Sequence, residues 1–288
     1  MVQSTWGDWF VREEVEATDP GDGVVVWYLG CNGFVLRSQT TTLYIDPYFG
    51  TGDPPTLIRM IPVPMDPGNV TQCDATLVTH EHIDHMHPPS YGPLVEDLGA
   101  ALYAPSASYE SPDYDGEMRV PADQRTEVAV GDEFAVGDFT VHVTGANDPD
   151  AIEPVSYVVE HDAGTFFHAG DSRPADAFVD VGERFDVDAG ALAFGTVGSI
   201  YEPDPDRGVR TKWYMDENEI IEAATQLRLP RLLPSHHDMW QGEAGDPKVL
   251  HEHAVSFEYP RIIEPLYIGC SVRLGDPGIR RLDALGEG

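Results

Sequence analysis

Short apolar runs, each closed by Gly, Pro, Asp or Asn, recur along the chain. The first half carries VVVWYL (24–29), GFVLRS (33–38), TLYIDP (42–47) and ATLVTH (75–80). The second half carries FTVHVTG (139–145), VSYVVE (155–160), TFFHAGD (165–171), ALAF (191–194) and RLLPSHH (231–237). Their lengths and their β-branched and aromatic content predict strands. Residues 24–38 read as a hairpin turned at Cys31-Asn32-Gly33. The clearest helix is DENEIIEAATQLRLP (216–230). Asp216 stands at its N-cap with Glu219 three residues on, a capping box. Ile220, Ile221, Ala224 and Leu227 then share one face, and Pro230 ends it. A weaker helical pattern covers 90–99. No linker, repeat or low-complexity block interrupts this series. The pattern predicts one α/β domain over residues 1–288, two packed sheets flanked by helices.

Charge changes the picture of the surface. Fifty Asp and Glu face 17 Lys and Arg, a formal −33, and Lys212 and Lys248 are the only lysines. The acids are spread between apolar segments, so they read as a solvated acidic surface. Such a chain repels itself unless the repulsion is screened, and molar salt shortens the screening length to about 3 Å. The composition therefore points to a halophilic host that accumulates salt. It argues against broad contact with nucleic acid or anionic membranes, which need basic patches. Cys31, Cys73 and Cys270 are too few and too scattered for a disulfide framework. No signal pattern opens the chain and no apolar run approaches a membrane span, so a cytoplasmic protein with reduced thiols is expected.

The candidate chemistry lies at strand ends. THEHIDHMHPP (79–89) packs four histidines into eight positions directly after an apolar run. His80 and His82, two apart, point to the same side of extended chain, and Asp84 and His85 follow a turn and can face a second point. Imidazole with carboxylate suits Zn, Mn or Fe, and two such groups in one loop suggest a pair of metals. Three more strands end in potential ligands. One offers Asp171 after Gly170, a carboxylate able to bridge two cations. Another offers His236 or His237. The last offers Asn147 or Asp148. His87, before two prolines, is not expected to be a ligand. His142 and His168 read as packed within strands, and His161, His251 and His253 as solvated.

In this order, H-x-H-x-D-H, a strand ending in G-D and a strand ending in histidine resemble the metallo-β-lactamase superfamily. WYLGCNGFVLRS, HAGDS, the DRG…K stretch (206–212), LLPSHHDMW and the leader TWGDW…EE (5–14) together resemble the L-ascorbate-6-phosphate lactonase (UlaG-like) family within it. The resemblance spans about Trp6 to Gly275. It implies the αββα sandwich of two mixed sheets flanked by helices. It also implies His80, His82 and Asp148 at a first metal, Asp84, His85 and His236 at a second, and Asp171 between them. A carboxylate at 148, where the superfamily usually has histidine, hardens the site and favours Mn(2+) over Zn(2+). Asp46 matches an acid that orients the histidine loop through hydrogen bonds, although an Asp-Pro turn fits the same residues. Arg207, Arg210 and Lys212, with Arg173 and His237, are candidates to hold a substrate phosphate; charge balance against Asp204, Asp206 and Asp216 is the competing reading.

The implied function is a metal-dependent hydrolase, a lactonase on a sugar lactone with or without a phosphate, L-ascorbate-6-phosphate being the family's type. Metal-bound hydroxide would attack the carbonyl, with Asp171 between the metals and Asp84 passing a proton to the leaving alkoxide. A phosphodiesterase on a small phosphodiester, or a metal-binding protein without turnover, are the alternatives. The expected partner is a small molecule, and the resemblance makes a homo-oligomer plausible. Relative to the lactonases the chain is expected to be shorter between Tyr48 and Asp74 and between Asp148 and Val155, in loops that would border the pocket.

Overall fold

The computed structural model describes residues 4–54, 57–118, 120–195, 197–200, 209–241 and 245–275. Fourteen strands build two large sheets. In the first half they are β1 (Val25–Gly30), β2 (Gly33–Arg37), β3 (Thr42–Ile45), β4 (Ala75–Leu77), β5 (Ala101–Ala104) and β6 (Arg125–Glu127). In the second they are β7 (Glu133–Val136), β8 (Phe139–Gly145), β9 (Val155–His161), β10 (Gly164–His168), β11 (Ala189–Ala193), β12 (Arg231–Ser235), β13 (Ile262–Ile263) and β14 (Ser271–Arg273).

One sheet has the order β14-β1-β2-β3-β4-β5-β6, the other β13-β12-β11-β10-β9-β8-β7. Each is mixed. The junctions β14-β1, β1-β2, β2-β3 and β7-β8, β8-β9, β9-β10 are antiparallel. Those from β3 to β6 and from β10 to β13 are parallel.

Alternation along the strands explains the layering. In β1, Val26 and Tyr28 face the other sheet and join a central core with Phe34, Ile45, Val141, Val159, Phe166 and Leu233. Val25, Trp27 and Leu29, one residue out of step, pack outward against Phe10, Val11 and Val15 of an N-terminal helical segment and against Leu94. The second sheet repeats this. Phe167 and Leu232 turn outward onto helix α2 (Asp176–Arg184) and helix α3 (Glu217–Gln226) through Phe178, Val181, Ile220, Ile221 and Ala224. Both sheets are therefore buried on both faces, and the architecture is the expected αββα sandwich.

Local expectations hold with shifted ends. The hairpin turns at Cys31-Asn32, and α3 opens with the full capping box at Asp216 and Glu219. Helix α1 (Pro88–Glu96) begins two residues early, on the proline pair that follows His87, because proline suits the first helical turn. Helix α2 has no side-chain cap at Ala175 and was not marked by the sequence. The predicted strands 75–80 and 231–237 stop at Leu77 and Ser235, which frees the residues after them to form loops.

Charge is sorted by depth. Among the described residues the buried acids are Asp46, Glu81, Asp84, Asp148 and Asp171, and no Lys or Arg is buried. The remaining described acids lie at the surface. If screening stabilises this surface, the unfolding midpoint should rise by about 10 °C between about 0.1 M and about 2 M KCl. A thermal melt followed by circular dichroism measures this, and a flat or falling midpoint would refute screening as the reason.

Candidate metal centre

Five strand ends deliver the site. Asp46 follows β3, the histidine loop follows β4, Asp148 follows β8, Asp171 follows β10 and His236 follows β12. Strand ends fix the backbone on one side and leave side chains free to converge on the other. Among the described residues, three of the four non-glycine positions with positive φ stand here: Cys31 (59°), Asp46 (44°) and His236 (61°). Such conformations persist where the surroundings impose them, and they gather at functional sites. Gly170 (φ 61°) has a separate reason: a Cβ there would come within 3.0 Å of the Thr79 side chain.

The side chains form two groups. His80, His82, Asp148 and Asp171 bring one ligand atom each within 4.8 Å of one another, and so do Asp84, His85, Asp171 and His236. Asp171 belongs to both. Its Oδ2 lies 3.2 Å from His85 Nε2, 3.7 Å from His236 Nε2 and 3.9 Å from His80 Nε2. His236 Nε2 is 2.9 Å from Asp84 Oδ2, and His80 Nε2 is 3.7 Å from Asp148 Oδ2.

A layer of hydrogen bonds aims these groups. Asp46, fully buried, accepts from the Thr79 amide at Oδ1 and from Thr79 Oγ1 at Oδ2, each at 2.8 Å. Its Oδ2 also lies 2.8 Å from His85 Nδ1. With Nδ1 held there, Nε2 is the His85 nitrogen turned toward Asp171 and left to hold a cation. Asn32 does the same for Asp171. Its Nδ2 donates to Asp171 Oδ1 at 3.0 Å, its Oδ1 accepts from Ser235 Oγ at 2.7 Å, and its carbonyl accepts from His168 Nε2 at 2.8 Å. His82 Nε2 faces the Asp150 carbonyl at 3.3 Å, which leaves Nδ1 toward His80.

The electrostatics show a centre short of positive charge. Burial opposes ionisation of Asp171 and Asp84, but His85 and His236 outweigh it and hold both well below the usual carboxylate range. Burial also opposes a charge on His85, yet Asp171, Asp46 and Asp84 overcome it and raise its pKa. Burial and His85 push His80 down to about 3, and burial and Asp171 push Asp148 up to about 6. Asp148 Oδ2 and His85 Nε2 are buried without a hydrogen bond. Orphaned lone pairs, crowded carboxylates and donor sets of two imidazoles with two carboxylates all fit divalent cations.

Above the two groups lies a cavity of about 260 Å³, lined by Leu57, His82, Ile83, Asp84, Asp113, Asp148, Asp150, Asp171, Trp213, Tyr214 and Trp240. The alternatives left open by the sequence separate here. Asp148 joins the first group, while Asn147 turns away and donates from Nδ2 to the Pro174 carbonyl. His236 joins the second group. His237 is buried outside both groups and does not line the cavity.

Three of the phosphate-site candidates lie off the cavity lining. His237 does not reach the cavity. Arg173 donates to the Lys212 carbonyl, and Lys212 Nζ sits 2.7 Å from Asp216 and 2.6 Å from Glu219 at the start of α3, so charge balance claims it. Arg207 lies outside the described residues. His87 is engaged with Ser90 Oγ at 2.6 Å, away from both groups, and His142 with Glu160 at 2.6 Å.

Sequence reasoning missed Asn32, Thr79, Tyr214 and the tryptophans. Tyr214 stacks on His236, its ring centroid 4.2 Å away and its hydroxyl 3.0 Å from Nε2. The doublet Trp213-Tyr214, next to a basic stretch and ahead of a helix cap, was the available signal.

The family model described as the beta-lactamase superfamily domain matches residues 41–237, from β3 through the pair His236-His237. The chain belongs to the metallo-β-lactamase superfamily. Within this superfamily it is 26% identical to a protein of Escherichia fergusonii named probable L-ascorbate-6-phosphate lactonase UlaG, over 84% of this chain and 77% of that one. In fold it is similar to Igni18, described as a novel metallo hydrolase from the archaeon Ignicoccus hospitalis. The TM-score is 0.65 at 17% identity, covering 88% of this chain and 98% of the other. It is also similar to the metallo-beta-lactamase fold protein YhfI of Bacillus subtilis, with a TM-score of 0.61 at 17% identity, covering 88% of this chain and all of that one.

Proposed function

We propose that this metal-dependent hydrolase of the metallo-β-lactamase superfamily opens the ring of a small sugar lactone to the hydroxy acid. The observation that carries the reading is Asp171, shared by two four-residue groups on the floor of a cavity walled by Trp213, Tyr214 and Trp240. The lactonase names of the curated relatives support the choice of a lactone. His80, His82, Asp148 and Asp171 would hold one divalent cation, and Asp84, His85, Asp171 and His236 the other. Once bound, the pair supplies an acidified water and positive charge facing the substrate carbonyl. Three carboxylates among the donors favour Mn(2+) over Zn(2+).

The chain's own groups do the positioning and the proton traffic. Asp84 lines the cavity as part of the second group, which places its carboxylate to take a proton from the attacking water and return it to the ring oxygen as the C–O bond breaks. Burial, with Asp171 and Asp84 nearby, holds the Tyr214 phenol protonated, which makes it a neutral donor toward the carbonyl oxygen. Asp46 and Asn32 keep His85 and Asp171 in register throughout.

Ring opening releases an acid, so proton release in a pH-stat reads it directly. The Mn-loaded protein in molar KCl should release protons from at least one sugar lactone in a panel with and without a 6-phosphate, and should stop when metal is chelated. A silent panel from fully loaded protein would reject the lactone, and hydrolysis of a bis-phosphodiester instead would assign the centre to phosphodiesters.

A further inference from the structure

The cavity says which lactones fit. We infer that the substrate is a small ring without an anionic group, held by its apolar face against indole and screened for charge by Asp113 and Asp150. This rests on the lactonase reading and narrows it.

The lining divides into three parts. Asp84, Asp148 and Asp171 turn into the two groups on the floor. Leu57, Ile83, Trp213, Tyr214 and Trp240 form an apolar wall, the surface on which the C–H face of a sugar ring packs. Asp113 and Asp150 are left over: both line the cavity, both are exposed, and neither belongs to a ligand group.

No Lys or Arg stands among the described lining residues, and two described cations on neighbouring segments, Arg59 and Lys212, are held elsewhere. Arg59, bridged through its backbone to Trp240, donates to the carbonyls of Tyr48 at 2.8 Å, Ile61 at 3.1 Å and Pro62 at 2.7 Å. Lys212, beside Trp213, is held by Asp216 and Glu219. A phosphate on the substrate would therefore meet a lining that includes Asp113 and Asp150 and no described Lys or Arg. The volume agrees, because about 260 Å³ is smaller than the ~300–1,000 Å³ of sites for drug-sized ligands.

The test uses two ligands that bind without reacting: a five-membered sugar lactam, and the same lactam phosphorylated on its exocyclic hydroxyl. Quenching of tryptophan fluorescence in the metal-loaded protein reads binding. At the lowest KCl that preserves the fold, the neutral lactam should bind at least about tenfold tighter, and the gap should close toward molar KCl as screening takes hold. The double variant Asp113→Asn, Asp150→Asn should strengthen binding of the phosphorylated lactam severalfold more than that of the neutral one. Trp213→Ala, at a partly exposed position, should weaken both.

Equal or tighter binding of the phosphorylated lactam by the unaltered protein overturns the inference. So does a loss of that binding confined to Arg207→Ala. If neither lactam binds while lactones are still hydrolysed, this inference alone fails. If neither binds and no lactone is opened, the lactonase reading falls with it.

Discussion

Asp171→Ala should leave a folded protein that holds at most one divalent ion per chain and has lost its hydrolytic activity. Asp171 is the one residue present in both ligand groups, so its loss removes a donor from each at once. The change also strips His85 and His236 of their shared carboxylate, leaving Asp84 as their remaining partner within the second group. Supporting residues around a metal cost ~10–100-fold when removed, so loss of a shared ligand should exceed that range. Asp171→Asn separates charge from shape. Its amide keeps the volume and one oxygen, but it cannot neutralise two cations, and it should resemble alanine in metal content. Elemental analysis after dialysis reads the stoichiometry, circular dichroism the fold, and the pH-stat the turnover. Two ions per chain in Asp171→Ala would remove Asp171 from its bridging role, whatever the activity.

How far the sequence reaches is set by how local each interaction is. The histidine loop was legible because its ligand spacing is written into six consecutive residues after a strand, and strand periodicity fixes where such residues point. Asp171 and His236 were legible as strand ends, and their grouping came from the order in which such ends appear along the chain. The sandwich followed from runs whose alternate residues face opposite layers, as Val26 and Trp27 do.

What escaped depends on tertiary pairing. Asn32 meets Asp171 across 139 residues and Ser235 across 203, and a turn asparagine carries no mark of such partners. The sequence allows Lys212 both roles, phosphate holder and partner of Asp216. Its position near the site is correct, but the acids that claim it belong to the cap of α3, and choosing among competing carboxylates needs coordinates. The cavity wall failed for the same reason. Trp213 and Trp240 lie 27 residues apart, and neither sits in a periodic run that would have exposed a shared face.

Asp46→Ala should destabilise the fold severely, and Asp46→Asn shows why. In the native chain both Asp46 oxygens accept, from the Thr79 amide on one side and from Thr79 Oγ1 and His85 Nδ1 on the other. Alanine leaves the buried Thr79 amide unpaired and His85 Nδ1 with only the longer 3.3 Å contact to Thr79 Oγ1, at about 1–3 kcal/mol for each unsatisfied group. It must also adopt φ 44°, a conformation Asp and Asn tolerate better than residues without a local side-chain acceptor. A loss of roughly 3–5 kcal/mol is expected, read from denaturant unfolding with metal removed.

Asparagine keeps the volume and the backbone preference but has a single acceptor. If its oxygen faces His85 and Thr79 Oγ1, its NH₂ opposes the Thr79 amide. If it turns over, the NH₂ faces His85 Nδ1 and drives the imidazole to the other tautomer, placing a proton on Nε2 where a lone pair must point. Either arrangement weakens the second cation, by about 10–100-fold in affinity. Competition with a calibrated chelator measures this apart from turnover. Native metal affinity in Asp46→Asn would show that His85 is oriented by packing alone, and that the hydrogen bond to Asp46 serves the fold and not the centre.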